Sequence, residues 1–291
     1  MGTHSTIDDA PVERFVPARQ SARVARAVPQ MFGYRMPPLL GLHRGLPGPY
    51  LTLVFSLSGE LPIEVPTGPQ QGERSYGIAV GGLHTHPVFL PPVTDAAGRQ
   101  LTQRGIQLAV NPLAARAIFG LPAGELTGSV LELDDVVGRQ GGVLRERLTG
   151  GVAAGLAMDR VSRWIELRLG EEQRKLLAPE LNRAWQLIVG SGGRRSVAEV
   201  ARDVGWSRRH LTAQLRAETG LGAKELGRVS RFQRSRSMMV GSARPLADIA
   251  ADCGYADQSH LSNEWREFAG CTPGQWIAAE VPALSVQHHD C

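Results

Sequence analysis

The feature that most narrows the folds open to this chain is a duplication near its C-terminal end. SVAEVARDVGWSRRHLTAQLRAETG (Ser196 to Gly220) aligns with PLADIAADCGYADQSHLSNEWREFAG (Pro245 to Gly270) at an offset of 49 residues, which becomes 50 after one inserted residue. Val197, Val200, Ala201, Gly205 and Trp206 fall on Leu246, Ile249, Ala250, Gly254 and Tyr255. Beyond the insertion, Leu211 and Leu215 fall on Leu261 and Trp265. Two copies are too few for a solenoid, in which each repeat leans on its neighbours. Each copy must therefore be a supersecondary unit in its own right.

Its grammar is helix, turn, helix. The short first helix carries small residues (Ala198 and Ala201; Ala247 and Ala250) that let a second helix approach closely. A glycine ends it, where the chain needs a left-handed conformation. Ser207 is a good N-cap for the next helix; in the second copy Ala256 holds that place, which leaves the cap to Asp257 or to water. Leu211/Leu215 and Leu261/Trp265 lie four apart and share a packing face. At about 100° per residue, the opposite side shows Arg209, Ala213 and Arg216 with Thr212 at the flank, then Ser259, Asn263 and Arg266 with Ser262 at the flank. A helix polar on its outer side suits a groove read by hydrogen bonds. An ordinary αα-hairpin would look alike in one copy, but tandem copies joined by a basic helix favour nucleic acid.

Charge points the same way. Net charge is only +4, with a pI near 9.3. From Arg194 to Arg244, however, twelve Arg/Lys face four Asp/Glu, a net of +8, whereas Pro245 to Glu280 has one against six, a net of −5. The basic stretch is almost all Arg, which pairs bidentately with phosphate and guanine. The joining segment GAKELGRVSRFQRSRSMMV places Leu226, Val229, Phe232 and Met239 in a core and leaves Arg228, Arg231, Arg234 and Arg236 to solvent or phosphate. Some 18 helical residues span roughly 27 Å, which with the turns sets two reading helices near one DNA turn apart, about 34 Å.

The rest of the chain reads differently. From about residue 33 to 107, Pro and Gly break the sequence into short β-like runs: YLTLVFSL, LPIEV, YGIAVGG, HPVFLP and GIQLAV. From Pro112 onward apolar residues recur at spacings of three and four, the signature of amphipathic helices. GSGGRRS (Gly190 to Ser196) is the clearest linker. The expected fold is α+β: a β-rich, barrel-like N-terminal domain with helices over 1–190 (β-rich to about 110, helical after), an all-α domain over 191–280, and a disordered tail over 281–291. With 42% hydrophobic and 21% charged residues the composition is globular. No apolar run of membrane-spanning length and no secretory signal is visible, and the three cysteines are odd in number and far apart. These features predict a cytoplasmic protein that does not engage the membrane.

The C-terminal 95 residues resemble the DNA-binding domain of the AraC/XylS family of bacterial transcription regulators. VAEVARDVGWSRRHL and, above all, IAADCGYADQSHLSNEWREFAGCTPGQW carry the likeness, through Ile249-Ala250, Gly254-Tyr255, Asp257-Gln258-Ser259, Trp265, Gly270 and Thr272-Pro273. The departures are Gly222-Ala223, where Ser/Thr-Pro is usual, and Ile277, where an Arg commonly follows the aromatic. GIQLAVNPLAARAIFGLPAGELTGSVLELDDVVG is similar to the N-terminal domain of a less-studied branch of the family. The resemblance implies base-reading positions at Arg209, Thr212 and Ala213, then Gln258, Ser259, Ser262 and Asn263. Arg208 stands beside them, and Arg228 is expected to hold a phosphate. The implied partners are double-stranded DNA, RNA polymerase, a small-molecule effector at the N-terminal domain, and a second copy of the chain.

Rival motifs are weaker. His84 and His86 in GGLHTHPVFLPP share one face if extended and begin a cupin-like metal site, the basis of an alternative reading as a metal-dependent enzyme with an accessory helical domain. No further His follows before His210, and the next acid is Asp95. A nucleic-acid clamp with repair chemistry needs a reactive Cys, and Cys253 packs beside the turn glycine. No nucleophile–base arrangement, cofactor loop or metal motif stands out, and the sequence predicts no enzyme. The His288–Cys291 tail offers at most adventitious metal binding.

Overall fold

A computed structural model of the chain describes residues 13–15, 20–37, 42–67, 71–148, 150–171 and 177–284. Among the described residues its first half holds ten strands: β1 (Glu13–Phe15), β2 (Gln30–Met36), β3 (His43–Gly45), β4 (Leu51–Ser56), β5 (Leu61–Val65), β6 (Gly72–Tyr76), β7 (Ile78–Gly81), β8 (Val88–Leu90), β9 (Gln103–Val110) and β10 (Val130–Glu132). They form two antiparallel sheets, of order β1-β2-β9-β4-β7-β10 and β3-β8-β5-β6. Alternation dictates the faces. In β4, Leu51, Leu53 and Phe55 are buried while Thr52 is exposed, and the register sets Leu53 opposite Leu108 and Phe55 opposite Ile106 of β9.

That face of the larger sheet is covered by helices α1 (Ala22–Ala27), α2 (Ala115–Phe119) and α5 (Ala154–Glu171), with α3 (Leu133–Val137) and α4 (Arg139–Leu148) alongside. Its other face meets the smaller sheet through Leu61, Ile63, Val65, Tyr76, Ala79 and Val130. Each fully buried Leu, Ile or Phe here contributes about 1.5–3 kcal/mol.

The five strand runs read from the sequence are β4, β5, β7, β8 and β9. The chain after residue 110 is helical except for β10, which returns to pair with β7. β2 (QMFGYRM), in which Phe32, Tyr34 and Met36 alternate, is not among those runs, and β3 and β6 lie in stretches without a β-like apolar run; GERSY of β6 is an edge strand whose first four residues are exposed.

The second half is all helical: α6 (Pro179–Gly190), α7 (Val197–Asp203), α8 (Arg208–Thr219), α9 (Ala223–Met239), α10 (Leu246–Cys253), α11 (Gln258–Ala269) and α12 (Pro273–Leu284). α6 packs on α7, α8 and α9, so the break expected at 190/191 falls inside this packed unit. GSGGRRS is not a loose tether. Gly192 and Gly193 take positive φ, and a Cβ on Gly193 would lie 1.9 Å from the Gly227 carbonyl oxygen, so the loop rests directly on α9. α12 runs four residues into the stretch expected as tail; 285–291, including His288, His289 and Cys291, lie outside the described residues. One apolar core extends from Leu53 and Phe55 of the sheet to Leu261 and Trp265 of α11.

Candidate nucleic-acid interface

Local chemistry builds both copies as the spacing predicts. Ser196 caps α7 in a reciprocal box with Glu199, and Gly205 (φ 71°) turns the chain. Ser207 then caps α8 by accepting from His210 N at 3.1 Å. In the second copy Gly254 (φ 79°) ends α10, and Asp257, not Ala256, caps α11 by accepting from His260 N at 2.7 Å. The extra residue is thus absorbed in the turn. At the departure Gly222, Glu225 accepts from the Gly222 N–H at 2.8 Å and replaces part of the missing cap. Thr272 and Gln275 box the start of α12.

The packing faces are Leu211 and Leu215, Leu261 and Trp265, all fully buried. On the outer sides Arg208, Arg209, Ala213 and Arg216 are exposed and Thr212 is half-buried; Gln258, Ser259, Asn263 and Arg266 are exposed and Ser262 is half-buried. The structure therefore brings the candidate reading residues together on two outward faces, Arg228 excepted. Arg216 donates to Glu225 at 2.8 Å, and Arg266 donates to Asn263 Oδ1 at 2.9 Å. Arg208 and Arg209 have no ion pair among the described residues.

Arg228 sits elsewhere. Its guanidinium donates to Glu264 at 2.9 Å and to both carboxylate oxygens of Glu267, and it stacks over the Phe268 ring at 4.9 Å. Arg231 joins it, donating to Glu264 at 2.8 Å and lying 4.7 Å over Tyr255. The expectation that both point to solvent or phosphate is corrected: they hold α11 to α9. Glu264 is only 4% exposed. Burial alone would push its carboxyl up, yet the Arg231 and Arg228 hydrogen bonds outweigh it and hold the group below the usual range. Beside this hub, Phe232, Trp265, Phe268 and Trp276 form an aromatic cluster with centroids 4.8–5.2 Å apart. Trp265 Nε1 donates to Ser235 Oγ at 3.0 Å.

Glu264 escaped the sequence reading, although a signal was there: it occupies an inward position between Leu261 and Trp265, a place for an acid only if a cation meets it. The charge blocks likewise interlock. Asp252, Glu264 and Glu267 of the acidic stretch bind Arg244, Arg231 and Arg228 of the basic one.

The front half grips the first copy and α12, away from the reading faces. Arg116 of α2 forms a bidentate pair with Glu218 at the end of α8 (2.8 and 3.0 Å), and Thr127 donates to the Thr219 carbonyl at 3.0 Å. On α12, Glu280 takes His43 Nδ1 and Arg44 Nη1 of β3, each at 3.0 Å. Tyr50 meets Trp185 of α6 edge-on.

The two imidazoles do not share a strand face as expected. His84 and His86 lie in the loop after β7, not on a strand; His84 is half-buried, and desolvation of its ring lowers its pKa to about 4, while His86 engages Thr85. No group of three or more metal-ligating side chains occurs among the described residues. Cys253 is buried, which pushes its thiol up. No helix among the described residues is long and apolar enough to cross a membrane.

Two glycine-broken helix pairs, each with a capped, outwardly polar second helix, define a tandem helix-turn-helix domain. Comparison agrees: the family described as a helix-turn-helix domain matches residues 200–279. The transcriptional activator RhaR of Klebsiella pneumoniae is 32% identical over 72 residues, 25% of this chain and 26% of that protein, so the match spans about a quarter of the relative. Among solved structures, ToxT of Vibrio cholerae superposes with a TM-score of 0.51 at 14% identity, over 87% of this chain and 98% of that one. A second ToxT structure, with an unsaturated fatty acid bound, gives 0.50 at 14% over 86% and 95%. The likeness in fold thus extends over both halves. Residues 200–279 thus carry a helix-turn-helix domain, as the AraC/XylS resemblance of the sequence implies.

Proposed function

We propose that the whole chain is a sequence-specific transcription regulator whose α8 and α11 enter adjacent major grooves of double-stranded DNA. The observation that carries this is the pair of outward polar faces held by one core. Arg208, Arg209, Thr212, Ala213 and Arg216 serve the first groove, and Gln258, Ser259, Ser262, Asn263 and Arg266 the second. Arg228 is reassigned from phosphate to the hub under α11. The DNA-binding unit includes α6 and so begins near residue 178. The preceding half is a regulatory domain that takes a small-molecule effector and mediates homodimerisation; a shared fold with ToxT, one structure of which holds a fatty acid, makes fatty acids the first effectors to test. RNA polymerase contact and a cytoplasmic location follow from that role, and enzymatic activity does not. Genome-wide binding followed by footprinting tests the proposal. The expected result is protection of two stretches about one helical turn apart, and binding without sequence preference would refute it.

A further inference from the structure

A cleft of about 650 Å3 opens between the two helix-turn-helix units. Its floor is the first turns of α9, with Lys224 at the mouth; one wall is the loop before α7, and the other is α11 from His260 to Glu267. The floor is electrically spent, since Arg228 and Arg231 are matched by Glu264 and Glu267, and Arg195 on the wall is paired with Asp203 at 2.6 Å. Lys224 differs. It is exposed and has no ion pair among the described residues.

His260 supplies a hydrogen-bond donor. Its Nδ1 accepts from Ala256 N at 3.3 Å and its ring stands edge-on to Tyr255, which leaves the proton on Nε2, across the ring. Asn263 belongs both to the outward face of α11 and to the cleft, so whatever fills the cleft adjoins the groove that α11 reads.

Two helices in successive major grooves bracket a minor groove, and the phosphate strands bordering it face the protein between them. A surface there must offer cations or donors, because an uncompensated one repels the duplex. We propose that this cleft seats the phosphate strand between the two grooves, with Lys224 as its cation and His260 Nε2–H as a hydrogen-bond donor. The inference rests on the DNA-binding function proposed above. The strand carries no base identity, so these two residues set docking and not sequence choice.

The test is an anisotropy titration of the full chain against a random-sequence duplex over a series of KCl concentrations. Lys224→Ala is expected to flatten the plot of log K against log salt by about one unit and to weaken all sequences alike, and Lys224→Arg to keep the wild-type slope. His260→Phe, which retains the ring packing, is expected to weaken binding at every salt concentration and for all sequences alike. A variant that behaves as wild type overturns the assignment of its residue. A wild-type chain that binds no duplex overturns the parent function as well, which separates the two failures.

Discussion

The two helix-turn-helix copies share a pattern and differ in what secures them. The first packs its second helix through two leucines and is anchored from outside, by Arg116 and Thr127 of the front half at the end of α8. The second is anchored from within, by Glu264 between two arginines and by a cluster of large aromatic rings. Their outer faces differ in the opposite sense. Copy one presents Arg208 and Arg209 without ion pairs among the described residues, while copy two presents amides and hydroxyls, its one Arg tied to Asn263. The lesson is that a charge excess along a sequence is not a charge excess on a surface. Three arginines of the basic stretch are consumed by acids of the acidic one.

The largest expected effect breaks the internal anchor. Glu264→Ala leaves Arg228 and Arg231 partly buried without their shared partner and should lower folding stability by about 3–5 kcal/mol, read by urea denaturation. Arg228→Ala should likewise act on stability; if it instead left stability intact and flattened the salt dependence of DNA binding, the hub assignment would be wrong.

Next is the contrast between reading faces. Arg209→Ala should cost about 1–3 kcal/mol in binding to a bound promoter and relax one base position. Asn263→Ala should cost less, and a competition titration that ranked them in reverse would show that copy two dominates recognition. Smaller still is the external anchor. Glu218→Gln should cost about 1 kcal/mol and raise hydrogen exchange at the end of α8 while leaving α11 protected. Equal loosening of both copies would erase the distinction.

The smallest effect concerns pH. Burial alone would push the Glu280 carboxyl up, but the His43 hydrogen bond and charge, with Arg44, hold it below the usual range. A depressed carboxyl stabilises fully above its unfolded pKa of about 4.3, and the contribution fades as pH falls through the folded value. Glu280→Gln should therefore show a shallower loss of melting temperature on acidification than wild type.

What was legible in the sequence is what is local. Turn glycines, caps and the four-residue spacing of Leu211/Leu215 and Leu261/Trp265 act within one or two helical turns, and all stand where expected. What was not legible depends on partners far along the chain. Glu264 meets cations 33 and 36 residues away, and α6 joins helices on the far side of a glycine-rich loop that looked like a boundary. β6 and β10 lack the apolar alternation that marks a strand because an edge position and a three-residue return need none. Of the candidate site residues, the outward ten followed from helical periodicity and family likeness. Arg228 misled because periodicity assigns a side and cannot tell what occupies it.

The grip of the front half on α8 and on α12 has a mechanical meaning. α9 already links the two units, so the attachments through Glu218 and Glu280 close the chain of contacts into a ring. An open linkage tolerates rotation about any joint, whereas a ring does not: one unit swivels against the other only if a charge pair opens. The spacing of the two outward faces is thus set by the closed circuit as well as by the packing on α9, and a front half that let go at either link would leave that spacing to α9 alone.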